Sequence, residues 1–409
     1  MSRPVTYGLV AMAALCALTA RAEAPPGGSV DALLAFARQQ SPELIALQLE
    51  ADAARERAAA SGALPDPMAR IEWRDVNNDM AGRSTKYTLI QPLPWWGKRD
   101  LKREAAEAEA DAVAAGSDAG WNELAARIKT AYALDYALAR QLELSREMAD
   151  LLDRLAAISR NRYANGLAPQ QDAIRARVER TALQAEIVQV ENERHHAQVR
   201  INGLLARPSH AVLAEPQVQR PIPVQLDHAA LEERLRTKNP SLFADDARIR
   251  AAERNRDATY RNRFPDVALG VSPIQTGSRV SEWELMLEVS IPLQQGSRRS
   301  QERESERMLE AARARRDVGA NRLLSELAEN VSAFEASQHI AALTRADLLP
   351  QAELTFQAAL AGYENGKVDF ATLLDAQRQI RKAKQDVIRA QAEQEARLAE
   401  IEKLVGEDL

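Results

Sequence analysis

Cysteine is almost absent. The single cysteine among 409 residues, Cys16, sits in an apolar stretch near the N-terminus. Past that point nothing can build a disulfide, a thiolate metal site or a cysteine nucleophile. Five histidines and scattered methionines make no soft-metal cage. The adjacent pair His195-His196 points in two directions on a helix, so it is no metal site either. There is no glycine-rich phosphate loop, no His-Glu-x-x-His and no nucleophile elbow. The expectation is therefore no enzyme, no cofactor and no bound metal. Aromatics are 4% of the chain although 45% is hydrophobic, mostly Ala and Leu. No apolar run reaches the roughly 20 residues of a transmembrane helix. Charge of one sign is lacking too: 54 Lys and Arg against 59 Asp and Glu give −5, thoroughly mixed. That pattern is a solvated helical surface and excludes a nucleic-acid partner.

The N-terminus reads as a secretory signal over residues 1–22. Arg3 gives a positive start, residues 8–20 an apolar core, and Ala20-Arg21-Ala22 a small-x-small site for cleavage after Ala22. Ala22-Glu23-Ala24 is the alternative site, but Pro25 is a poor first residue. Leu15 stands before Cys16 where a lipoprotein has a small residue, so lipidation is not expected. Loss of Arg3 and Arg21 takes the charge from −5 to −7.

Proline is missing over long stretches, between Pro94 and Pro169, over 171–207, over 297–349 and over 351–405. Apolar steps of three and four, such as Leu151, Leu155, Ile158 and Leu324, Leu327, Val331, Phe334, make these runs helical. One helix from about 98 to 164 spans on the order of 100 Å. Helices this long need partners, as coiled coils or an extended bundle.

What is present is present twice. Ser41-Pro42-Glu43-Leu44 returns as Asn239-Pro240-Ser241-Leu242, and Leu64-Pro65-Asp66 as Phe264-Pro265-Asp266. Pro94 with Gly97 returns as Pro292 with Gly296, and Tyr163-Ala164-Asn165-Gly166 as Tyr363-Glu364-Asn365-Gly366. The chain divides into repeats over 23–215 and 216–409, a pseudo-symmetric pair rather than a solenoid.

Each repeat holds an island of strand-like alternation, at about 67–91 and 265–292. Trp283, Leu285, Leu287 and Val289 alternate with Glu282, Glu284, Met286 and Glu288. Ile71 and Trp73 alternate with Arg70, Glu72 and Arg74, and the pattern weakens near Tyr87. Each island reads as two strands joined by a polar loop, at 77–84 and 275–281. Apolar on one face and charged on the other suits a membrane β-barrel; two hairpins on a soluble core are the other reading. Four strands cannot close, and unclosed strands in lipid leave backbone groups unpaired. A membrane reading therefore needs three chains and twelve strands.

These features resemble the TolC-like outer membrane efflux family across nearly the whole chain. Gln91-Pro92-Leu93-Pro94-Trp95-Trp96-Gly97-Lys98-Arg99 resembles its passage from second strand to first long helix, and Ile291-Pro292-Leu293 with Gly296 and Arg298 the second copy. A Tyr-x-x-Gly turn before an acidic return helix appears as Tyr163, Gly166, Asp172 and as Tyr363, Gly366, Asp375. The resemblance implies a mainly α fold with a small β part: a long helical coiled-coil barrel spanning the periplasm, and four transmembrane strands per chain in a shared twelve-strand barrel of a homotrimer. It implies an outer membrane conduit of a Gram-negative bacterium, working with a periplasmic adaptor and an inner membrane pump. The six turn residues would form the periplasmic entrance and adaptor-docking site. Thr372 stands where a second copy of Asp172 is expected, which weakens an acidic ring; as plain helix-start residues the two Asp also suit the dipole. Trp95, Trp96, Trp73 and Trp283 are the membrane-interface candidates, against outer membrane lipid, with Lys98 and Arg99 following into the polar zone. The Pro-Trp-Trp-Gly-Lys-Arg segment looks most like the branch exporting heavy-metal cations, cobalt–zinc–cadmium or copper–silver. Multidrug or solvent efflux and type I secretion are the alternatives. A soluble periplasmic coiled-coil adaptor or scaffold is the reading of another class.

Overall fold

The computed structural model describes residues 25–74 and 84–409. The signal segment, Cys16 and most of the first strand loop lie outside the described residues. In the first half, α1 (Val30–Gln40) and α2 (Pro42–Ser61) lead into β1 (Met68–Arg74) and β2 (Ser84–Leu93), then α3 (Lys98–Ala164) and α4 (Gln170–Leu204). The second half repeats the order with α5 (His228–Lys238), α6 (Pro240–Arg261), β3 (Asp266–Thr276), β4 (Arg279–Ser290), α7 (Gln295–Leu343), α8 (Leu349–Glu364) and α9 (Phe370–Val405).

The repeated Ser-Pro and Asn-Pro pairs are helix starts. Ser41 caps α2 and Asn239 caps α6, each with its side-chain oxygen on the N–H of the residue three along, Leu44 or Leu242. Pro42 and Pro240 follow at the first helical position, where the missing N–H costs nothing. α3 runs 67 residues and packs against α2, α4, α6 and α9, so it is the spine on which both repeats lie. Pro350 does not separate two helices as its position suggests. A π turn over Thr344–Leu348 precedes it, with the Leu349 N–H reaching the Thr344 carbonyl, and the helix continues into α8. The wider turn absorbs the proline ring and its absent donor.

The four strands form one antiparallel sheet in the order β1-β2-β3-β4. The repeats therefore meet at β2–β3, while β1 and β4 have open edges among the described residues. The expected loop over 275–281 shrinks to a turn at Gly277-Ser278, with Gly277 at φ +61°. Tyr87 pairs with Ile71, which puts it on the apolar face despite its weak sequence signal.

Away from the sheet, the core is a series of small clusters where helices cross. One, of Leu33, Leu124, Ile128, Tyr132 and Ile201, ties α1 to α3 and α4. Burial pushes the Tyr132 hydroxyl up to about 12; it lies 2.8 Å from the Val218 carbonyl and 3.1 Å from that of Gly28. Next to it α9 carries Glu395, buried, with Oε2 lacking a partner. Burial raises this carboxyl above its ordinary 4.5. A raised carboxyl helps the fold in acid and costs stability once pH exceeds its folded value. Glu395→Gln is thus expected to stabilise the fold at pH 7. The gain should vanish below about pH 4.5, which denaturant melts at the two pH values check.

Candidate channel entrance and membrane face

The two Tyr-x-x-Gly turns are matching helix ends. Gly166 and Gly366 stand at φ +67° and +72°. In the first turn the Gly166 N–H reaches the Tyr163 carbonyl and the Leu167 N–H that of Arg162, at 2.9 and 2.8 Å. In the second the Gly366 N–H reaches Tyr363 and the Lys367 N–H reaches Gly362, at 3.0 and 2.8 Å. This double bond closes the last helical carbonyls and needs a left-handed residue. Gly366→Val is expected to cost about 1–2 kcal/mol for a β-carbon in that region, and Gly366→Asn less. Thermal midpoints of the two variants test the order.

Return helices begin differently in the two repeats. Pro169 is the N-cap of α4, and its carbonyl accepts from the Asp172 N–H. In α9 the N-cap is Asp369, two hundred residues on, whose Oδ1 accepts from the Thr372 N–H at 2.8 Å. Those bonds hold its carboxyl below the usual range. Asp375 falls in the second turn of α9, exposed, 3.3 Å from Arg378.

Turn residues of the two repeats meet in one place. Tyr363 is 3% exposed and donates its hydroxyl to Asp172 Oδ2 at 3.2 Å, so Asp172 is buried and faces the other repeat. Phe370 packs on the Tyr363 ring, centroids 5.2 Å apart. Arg162 covers the same ring at 5.1 Å and donates to the carbonyls of Leu167, at 3.1 Å, and of Glu364. One guanidinium therefore fastens both turns. Along the seam below, Arg378 holds Glu179 with two bonds of 3.0 and 2.5 Å, which depresses the Glu179 carboxyl. Tyr163, the first-copy match of Tyr363, is 48% exposed. Sequence reasoning missed Arg162, Asp369 and Arg378. The offset of 200 that joins Tyr163 to Tyr363 also joins Pro169 to Asp369 and carried that signal.

At the other end, strand register sorts the sheet into two faces. Trp73, Tyr87, Leu89, Leu269, Trp283, Leu285 and Leu287 share one and are all exposed. The opposite face carries the Lys86–Glu284 ion pair, and the Thr88 and Ser272 hydroxyls 2.9 Å apart. Trp95 stacks on Phe264, centroids 5.4 Å apart with the rings 5° from parallel, and Trp96 stands against it at 77% exposure. Lys98 does not follow into the polar zone. It is buried, donating to Asp266 at 2.7 Å and to the Phe264 carbonyl at 3.1 Å. Its charge joins the strand end of one repeat to that of the other.

A sheet apolar on its exposed face and open at both edges, continued by helices of about 100 Å, defines the class: an outer membrane channel protein. The chain belongs to the outer membrane efflux protein family, whose profile matches residues 33–207 and 231–407. Its place is the outer membrane, and the family transports rather than catalyses. The cobalt-zinc-cadmium resistance protein CzcC of Cupriavidus metallidurans is 23% identical over 370 residues, covering 87% of this chain and 84% of that protein. The solved structure of CusC superposes with a TM-score of 0.81 at 18% identity, covering 92% of each chain. The outer membrane protein VceC of Vibrio cholerae gives 0.79 at 19% identity, covering 93% of this chain and 96% of that one.

Proposed function

We propose that three copies of the chain close a twelve-strand barrel and a helical conduit, the outer membrane part of a tripartite efflux system exporting heavy-metal cations. The open edges at β1 and β4 carry the reading. An unpaired edge in lipid costs several kcal/mol per backbone group, and only another chain can satisfy it. The helical flanks support it. Ile174, Val178 and Val188 on α4 and Leu343, Leu348 and Leu354 near the π turn are exposed apolar residues that a neighbouring repeat would cover. Tyr163 stands where pseudo-symmetry calls for a partner like the one Tyr363 has.

In this reading Tyr163, Gly166, Asp172, Tyr363, Gly366 and Asp375 belong to the periplasmic entrance, where an adaptor joins an inner membrane pump to the conduit. Trp73 and Trp283 meet lipid, with Trp95 and Trp96 at its periplasmic border. Residues 1–22 are the signal peptide that sends the chain across the inner membrane. Heavy-metal cargo rests on the likeness to CzcC.

Detergent extracts of outer membranes should contain the protein as a species of three chain masses by sedimentation. A stable monomer, or recovery in the soluble periplasmic fraction, contradicts the shared barrel. Deletion should sensitise the cell to cobalt, zinc, cadmium, copper or silver salts. Sensitivity confined to drugs or solvents replaces the metal cargo with the multidrug one.

A further inference from the structure

Where β2 passes into α3, a cleft of about 460 Å³ opens beside Trp95. Leu93, Val267, Leu269 and Trp96 wall it, with Trp95 backed by Phe264. Val267 and Leu269 belong to the apolar face of the sheet by register, so that face runs unbroken into the cleft. The rim is cationic. Arg99 donates Nε and Nη2 to the Gly62 carbonyl at 2.9 and 2.7 Å, and its Nη1 has no partner among the described residues. Asp100, the acid on the rim, sits 3.7 Å from Arg103.

We infer that the cleft holds an acyl chain of one phospholipid from the periplasmic leaflet, its phosphate set against Arg99. The inference rests on the reading that the outward face of the sheet meets lipid. The end of a membrane sheet beside its aromatics is the level of the headgroups. Arginine there pairs with phosphate by charge and planar geometry. A second copy of the chain does not fill the cleft. Other chains pair at the edges, β1 and β4, whereas the cleft lies over the β2–β3 pair, with only Leu64 contributed from the β1 side.

Two reporters of the full-length protein test this in vesicles of digalactosyldiacylglycerol, a bilayer lipid without phosphate, with brominated phosphatidylethanolamine as quencher. One keeps Trp95 and the other Trp283, the remaining four tryptophans being Phe. Trp283 reads ordinary lipid at the sheet, and Trp95 reads the cleft. Trp95 should be half-quenched at a mole fraction about fivefold lower than Trp283, the preference one arginine–phosphate contact confers. Arg99→Gln should erase that preference. Leu269→Phe, on the outward face, should abolish Trp95 quenching and leave Trp283 unchanged. Silence at Trp95 with quenching at Trp283 overturns the cleft and leaves the lipid-facing sheet standing. So does quenching of both at one mole fraction, indifferent to Leu269→Phe. Silence at both positions overturns the lipid-facing reading as well.

Discussion

Glu402→Ala is expected to cost about 3–5 kcal/mol, the penalty for stranding buried charge. Glu402 lies on the last turns of α9, 3% exposed. It accepts from Lys129 of α3 at 2.6 Å, from Arg220 at 2.7 and 2.9 Å, and from the Leu409 N–H at 3.1 Å. Lys129 also meets Asp408, whose carboxyl that bond depresses. A single carboxylate thus joins the spine helix of the first repeat, the segment between repeats and the C-terminus. Its loss leaves two largely enclosed cations with one exposed acid, Asp408, beside them. The decisive comparison is with Lys129→Met/Arg220→Met/Glu402→Leu, which removes every charge of the set. That triple variant should recover most of the loss, since an apolar replacement of a buried triad is often neutral or better. Unfolding followed by helical circular dichroism measures both. A Glu402→Ala loss under about 1 kcal/mol, the worth of an exposed pair, would show that water reaches the cluster.

None of that cluster was legible in the sequence, although much of the fold was. Pattern rules read short range well. Proline spacing placed a helix at about 98–164, where α3 stands. The Ser-Pro and Asn-Pro pairs were legible only as a repeat, and that they start α2 and α6 came from the structure. Alternation at Trp283–Val289 gave the apolar face of β4. Duplication showed that the halves match but not which surfaces of them touch. Lys98 reads as an interfacial lysine, yet its Asp266 partner is 168 residues away. Lys129 and Glu402 are 273 apart. Pairs at that distance are fixed by how α3 and α9 pack, and a local pattern carries no trace of it. Pro350 failed for another reason. A single π turn lets a helix pass a proline, and nothing in the residue types announces it.

The same limit bears on the entrance. Asp172 and Asp375 are the acids that follow two matching turns, three residues out of register, but the first is spoken for by Tyr363 and only the second is exposed. If the turns form the proposed entrance, their fastening sets how readily the two repeats part. Tyr363→Phe keeps the ring and its packing on Phe370 but deletes the bond to the Asp172 carboxylate, worth about 1.5–3 kcal/mol as a bond to a charged group. Arg162→Ala deletes the link to the Leu167 and Glu364 carbonyls. Each 1.4 kcal/mol is tenfold in an opening equilibrium, so Tyr363→Phe should raise the open fraction about ten- to hundredfold when it is small. The pair of variants should not simply add, because Arg162 also lies over the Tyr363 ring. Single-channel recordings in planar bilayers read the open fraction directly, and sedimentation checks that assembly is intact. Asp375→Ala, at an exposed acid paired only with Arg378, should change cation block with little effect on opening. If Tyr363→Phe and Arg162→Ala conduct like the parent, the Tyr363–Asp172 contact is a packing bond of two helix ends, and the entrance lies elsewhere on the chain.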